Sequence, residues 1–184
     1  MSRGTVENIS LGPGTLRVAV VGSTEPSDVT AAWAAAWKPI GYTAEGTEVS
    51  IELSRDPVEV AEEVDPVLFA TTSRSTKVAF AMAEVTARNL SIALNGGTIS
   101  TAGGVTTFEP PDAGSERSLA LGWESEDGEE RWIFRSCTQS GSVSVGRRKG
   151  ADKATVPVEM TVEKVTGQAA FKVLLKDSRS GGTI

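Results

Sequence analysis

Apolar and polar residues alternate with period two along much of the chain, the signature of strands that bury one face. In residues 47–54, Val49, Ile51 and Leu53 point one way and Glu48, Ser50 and Glu52 the other, which predicts a strand with one dry and one acidic face. In residues 76–83, Val78, Phe80 and Met82 alternate with Ala79, Ala81 and Ala83, so both faces are apolar and one carries only methyl groups. Something is expected to pack closely on that alanine side. Further strands are predicted at 14–21, 56–61, 67–72, 98–108, 155–165 and 169–176, with Val156, Val158, Met160 and Val162 the clearest alternating set. Leu119, Leu121 and Trp123 on one side, and Trp132 and Phe134 on the other, flank an acidic turn at 125–130. Its Asp127-Gly128 dipeptide tolerates positive φ, which makes this a hairpin.

Residues 84–95 break the alternation. Val85, Ala87, Leu90, Ala93 and Leu94 fall near helical spacing, and Gly96 and Gly97 follow where a left-handed cap belongs. One amphipathic helix is expected, its Val85, Leu90 and Leu94 face docked near the alanine face of 76–83. Residues 27–38 admit two readings, a helix carrying Trp33 and Trp37 one turn apart or an extended loop, with Pro39 ending either. The chain therefore reads as mainly β. With no internal repeat or low-complexity linker, it is taken as a single domain over 1–184 with an N-terminal arm (1–13), a long loop (22–46) and a C-terminal arm (177–184).

Composition narrows the chemistry. The 184 residues are 39% hydrophobic, enough for a packed interior, and contain no histidine, which removes the commonest general base and the most frequent metal ligand. The single cysteine, Cys137, excludes a disulfide framework or a cysteine zinc site within one chain, and it is expected to be a small buried hydrophobe. Residues 1–10 lack the pattern of a secretory signal, and no apolar run approaches the roughly 20 residues of a membrane helix. A soluble protein made in the cytoplasm is expected, with no cofactor, no metal and no enzymatic role.

The formal charge of −6 is concentrated: residues 45–65 hold eight carboxylates against Arg55 alone, a net −7 in that window. Such a strip is either ordinary wet surface or a face that meets something it must repel. Glu59, Glu62, Glu63 and Asp65 supply carboxylates of the kind glycoside hydrolysis uses, but a chain that is only 5% aromatic lacks the platforms that grip sugars. The acidic turn at 125–130 does not follow the ligand register of a calcium loop. Arg147, Arg148 and Lys149, between two glycines, read as a solvent loop or as a partner for a neighbour's acid strip, with DNA contact the lesser reading.

Trp37, Gly41, Tyr42, Glu45 and Gly46, followed by the acidic β segment and then by a paired strand and helix to Gly97, resemble the major tail tube proteins of long, non-contractile-tailed bacteriophages. The resemblance spans about residues 14–97, and Glu84, Thr86, Asn89 and Leu90 are its most specific part. It implies a β-sandwich or half-barrel with one flanking α-helix, six copies per ring, and rings stacked into a virion tail tube through which DNA passes without specific binding. It further implies a tape measure protein inside the tube during assembly, and tail terminator and distal tail or baseplate proteins at its ends. On that reading Glu48, Glu52, Glu59 and Glu63 are candidate lumen-lining residues, and Trp33, Trp37 and Tyr42 candidate inter-ring contacts. A different class of function, a sugar- or protein-binding β-sandwich module such as an adhesin or tail decoration domain, would use the same Trp33, Trp37 and Tyr42 as its contact residues.

Overall fold

A computed structural model describes residues 8–147 and 153–179. The elements run β1 (Thr15–Val20), β2 (Lys38–Pro39), β3 (Thr43–Val58), β4 (Leu68–Met82), α1 (Ala87–Ala93), β5 (Thr98–Ala102), β6 (Val105–Glu109), β7 (Leu119–Glu124), β8 (Glu130–Gln139), β9 (Val156–Val162) and β10 (Phe171–Leu175). A short 3-10 turn follows at Asp177–Arg179. The fold is mainly β, with antiparallel sheets and one α-helix. The large sheet has the order β2-β1-β7-β8-β9-β4-β3, and β10 pairs with the start of β8 on the edge that β9 takes at its end. β5 and β6 form a separate two-stranded hairpin.

The alternating residues divide as the strand period requires. Val78, Phe80 and Met82 of β4 and Val156, Val158 and Met160 of β9 all turn inward, where they meet Leu121, Phe134 and Cys137. Val78, Met82, Val156 and Met160 are each 0% exposed. Phe134 and Phe171 extend this core into an aromatic group with Trp132, ring centroids 5.8 to 6.1 Å apart.

The helix is shorter than its sequence pattern and docks on the other side of the sheet. Thr86 caps its start by accepting a 3.1 Å hydrogen bond from the Asn89 amide, and Asn95, in the left-handed region at φ 57°, ends it. Its buried residues are Asn89, Ile92 and Ala93, with Val85 and Leu90 partly buried against the core. It packs on β9 and the β5–β6 hairpin, on the core face, so the expectation of a helix over the alanine face is overturned. The reason lies in Asn89: its amide group donates to the Glu84 carbonyl (2.9 Å), which lets a polar residue join Ile92 and Ala93 on the buried face of the helix. Asn95 then ties the helix to β8, donating to the Gln139 carbonyl (3.0 Å) and accepting from the Gln139 amide (2.7 Å).

Three strand expectations also change. Residues 98–108 are two strands, because Gly103 and Gly104 both take positive φ and turn the chain. Residues 47–54 and the start of 56–61 belong to one strand of 16 residues, which stops at Val58. Residues 67–72 and 76–83 likewise merge, through a bulge opposite Ser54 and Arg55. The face expected to be dry is dry only as far as Val49, since Ile51 and Leu53 are 44% and 57% exposed. The outer halves of β3 and β4 thus stand clear of the domain as a two-stranded arm.

Candidate functional site: a polar sheet wall beside a tryptophan strap

The outward face of the large sheet is divided into two halves of opposite character. Over β1, β7 and β8 the outward residues include Ala19, Ala120 and Ile133, an apolar patch of small side chains. The loop between β1 and β2 lies across it. This segment is a loop and not a helix: Asp28 holds a tight turn by accepting from the amides of Thr30 and Ala31, both at 2.7 Å. Trp37, 3% exposed, packs on the patch and donates to the Thr24 carbonyl at 2.8 Å. Trp33 meets Trp37 edge-on at 5.0 Å and donates to Glu124 at 2.9 Å. The guanidinium groups of Arg17 and Arg131 lie 5.4 and 5.2 Å from the Trp33 ring, and Glu124 closes the cluster through its ion pair with Arg131. Arg131 also donates to the carbonyls of Asp28 and Ala31, which ties the strap to β8.

Over β8, β9, β4 and β3 no such strap exists among the described residues, and apart from Lys77 and Pro157 the outward residues of β3, β4 and β9 beside the groove are small, hydroxylated or acidic. One row across three strands reads Glu48, Ala79, Glu159, and the next reads Ser50, Lys77, Thr161. Glu52 follows on β3, opposite Ser75. Lys77 bonds Glu159 at 3.0 Å; that hydrogen bond and charge, together with Glu52, raise its pKa above the usual lysine value. Beyond them Glu163 accepts from the hydroxyls of Ser118, Ser136 and Thr138. The methyl groups of Ala79 and Ala81 floor an open groove of about 430 Å³, bordered by Glu45, Glu48 and Glu159. The alanine face is therefore bare, and the expected close packing on it is absent among the described residues.

The structure places the other anticipated residues as follows. Glu48 and Glu52 share the polar wall. Glu59 and Glu63 do not: they lie in the loop at the far end of the arm, about 20 Å further along the strand direction. Trp33 and Trp37 belong to the chain's own packing, so a contact role for the buried Trp37 ring is corrected: no face of it is left to offer. Tyr42 is 79% exposed, beside the start of the helix, where its amide donates to Glu84. Sequence reasoning missed Glu159. Its place between Val158 and Met160 already put it outward, but nothing in the sequence put it two strands from Glu48. Arg147 is exposed, while Arg148 and Lys149 lie outside the described residues.

The model of the family described as "Phage tail tube protein" matches residues 4–183, nearly the whole chain. The chain belongs to the phage tail tube protein family. A tail tube protein of this kind is a structural component of the virion tail and assembles with other tail components. No curated protein matches the sequence. Among solved structures, a chain of the anti-feeding prophage baseplate, described by cryo-electron microscopy with 6-fold symmetrisation, aligns at 8% identity and a TM-score of 0.42, covering 96% of this chain and 99% of that one. Among the described residues of this tail tube protein no helix is long and apolar enough to cross a membrane.

Proposed function

We propose that this chain is the repeating subunit of a tail tube, six copies to a ring and rings stacked head to tail, with the polar wall of β3, β4, β9 and β8 facing the lumen. The observation that carries this reading is the division of the outward sheet face: one half is covered by the tryptophan strap, the other is bare and acidic. Glu48, Glu52 and Glu159 are the lumen-lining residues of this proposal, and Tyr42 an inter-ring contact. Glu59 and Glu63, at the arm tip, line the lumen only where the arm itself does.

Duplex DNA carries one negative charge about every 1.7 Å of axis, so a basic wall would hold it through counterion release. Symmetry repeats each wall carboxylate around the ring, and the summed field keeps DNA mobile. Lys77 is partnered by Glu159, which leaves the wall's field negative. In this role the protein surrounds a tape measure protein during assembly and abuts terminator and distal tail or baseplate proteins at the tube ends. It is made in the host cytoplasm, and no cofactor enters. The test is a cryo-electron microscopy structure of the polymer formed by the purified protein. Hollow tubes with Glu48, Glu52 and Glu159 on the inner wall are expected; the same residues on the outer wall or inside an interface overturn the assignment.

A further inference from the structure

We infer that the apolar face of the β3–β4 arm of one copy docks in the pocket between Trp123 and Trp132 of the next copy; this rests on the tube reading. The arm has two distinct faces. Strand pairing puts Ile51, Leu53, Pro57 and Phe69 on one, together with Arg55 and Arg74, while Glu48, Glu52 and Asp56 lie on the other. The first face continues the line of Val49 and Val78 outward from the core, and there it loses its cover: Ile51, Leu53 and Phe69 are 44%, 57% and 60% exposed. The arm reaches about 25 Å beyond the core, and the bulge opposite Ser54 and Arg55 does not return its apolar face to the domain, since Ile51, Leu53 and Phe69 stay exposed.

The complementary surface is at the arm's root. A pocket of about 220 Å³ opens there, lined by Ser10, Thr47, Val49, Trp123, Glu130 and Trp132. Its walls are indole rings with Glu130 among them, and the turn that Glu130 ends carries the carboxylates of Glu126, Asp127, Glu129 and Glu130 against the Lys176 and Arg179 paired with three of them, so it stays negative. An apolar face with two arginines thus meets an apolar pocket with carboxylates at its edge. Steering by charge and burial of aromatic surface then act in the same contact. Every copy carries both halves. A head-to-tail arrangement satisfies all arms and all pockets, whereas a single copy leaves both bare.

The experiment uses the full chain. Phe69→Glu alters a residue that is exposed in the single copy, so its melting temperature is expected to match the unaltered protein while polymerisation, read by sedimentation, falls at least tenfold. Separately, Phe69→Cys and Ser10→Cys proteins are mixed and oxidised. A disulfide between the two different chains is expected, since the native Cys137 is 0% exposed and does not compete. Normal polymers from Phe69→Glu, or no mixed disulfide, overturn the docking and leave the tube reading standing. Closed dimers joined by the disulfide, with no tubes, support the docking and overturn the tube reading.

Discussion

Trp33 lies against Gly122 so closely that a Cβ at position 122 would come within 2.6 Å of its ring. The strap reaches the sheet because β7 carries no side chain at that point. Gly122→Ala is expected to destabilise the protein by about 1–3 kcal/mol through overpacking, and Trp37→Ala by about 3–5 kcal/mol through the cavity it leaves. Denaturant titration measures both. A Trp37→Ala protein with unchanged stability but lost association would return the ring to an intermolecular role.

The two faces of β4 respond differently to substitution. Ile92→Ala, on the helix that covers the core face, is expected to cost about 2–5 kcal/mol. Ala79→Leu, on the bare face, is expected to change stability by less than about 0.5 kcal/mol. Thermal melts of the two variants compare them directly, and a large loss from Ala79→Leu would mean that something packs on the groove in the single chain.

The acidic turn has a pH dependence of known sign. A hydrogen bond from the Ser125 hydroxyl, another from the Glu129 amide and the charge of Arg179 hold the Asp127 carboxyl below its ordinary value of 3.8. A lowered folded pKa stabilises fully above the unfolded value, and that contribution is lost as pH falls through the folded one. Asp28 shifts the same way, its carboxylate accepting from Thr30, Ser27 and Ala31. The melting-temperature difference between the unaltered protein and Asp127→Asn is therefore expected to be constant from pH 7 to about pH 5 and to shrink below pH 3.8. A difference that widens on acidification contradicts the assignment.

Cys137 faces the core, and burial pushes its thiol up to about 12. Because the thiolate is the reactive form, a chromogenic disulfide reagent at pH 8 is expected to modify it at the rate of global unfolding and no faster. Rapid labelling of the native chain would show that β8 opens locally.

Much of this was legible because period-two alternation is a local property. Val156, Val158, Met160 and Val162 face inward as their spacing says, and Asp127-Gly128 turns the β7–β8 hairpin. The helix is legible too, and Val85, Leu90 and Ala93 of its apolar set meet the core, but the burial of Asn89 is not, since that residue is polar and the Glu84 carbonyl makes its burial acceptable. The exposure of Ile51 and Leu53 was invisible for a related reason: alternation shows which residues share a face, not where along a strand the cover ends. Trp33 and Trp37 gave no helix signal strong enough to decide their segment, and the turn at Asp28 settled it through hydrogen bonds that leave no periodic trace. The wall itself needed the order of strands in the sheet, which joins Glu48 to Glu159 across 111 residues of chain.

The pairing of β1 with β7 carries a consequence for how the chain acquires its shape. Arg17 lies opposite Gly122, and the two are separated by most of the chain. During synthesis β1 leaves the ribosome early and must wait for its neighbour, while β8 waits for β9 and β10 to complete its other edge. Pairings of such long sequence separation slow folding into the millisecond-to-second range, because the entropy of closing the loop is lost before any contact compensates it. The β3–β4 hairpin needs no such wait. It is local, long and able to form first, so the nascent chain displays its apolar arm before the remainder of the sheet exists.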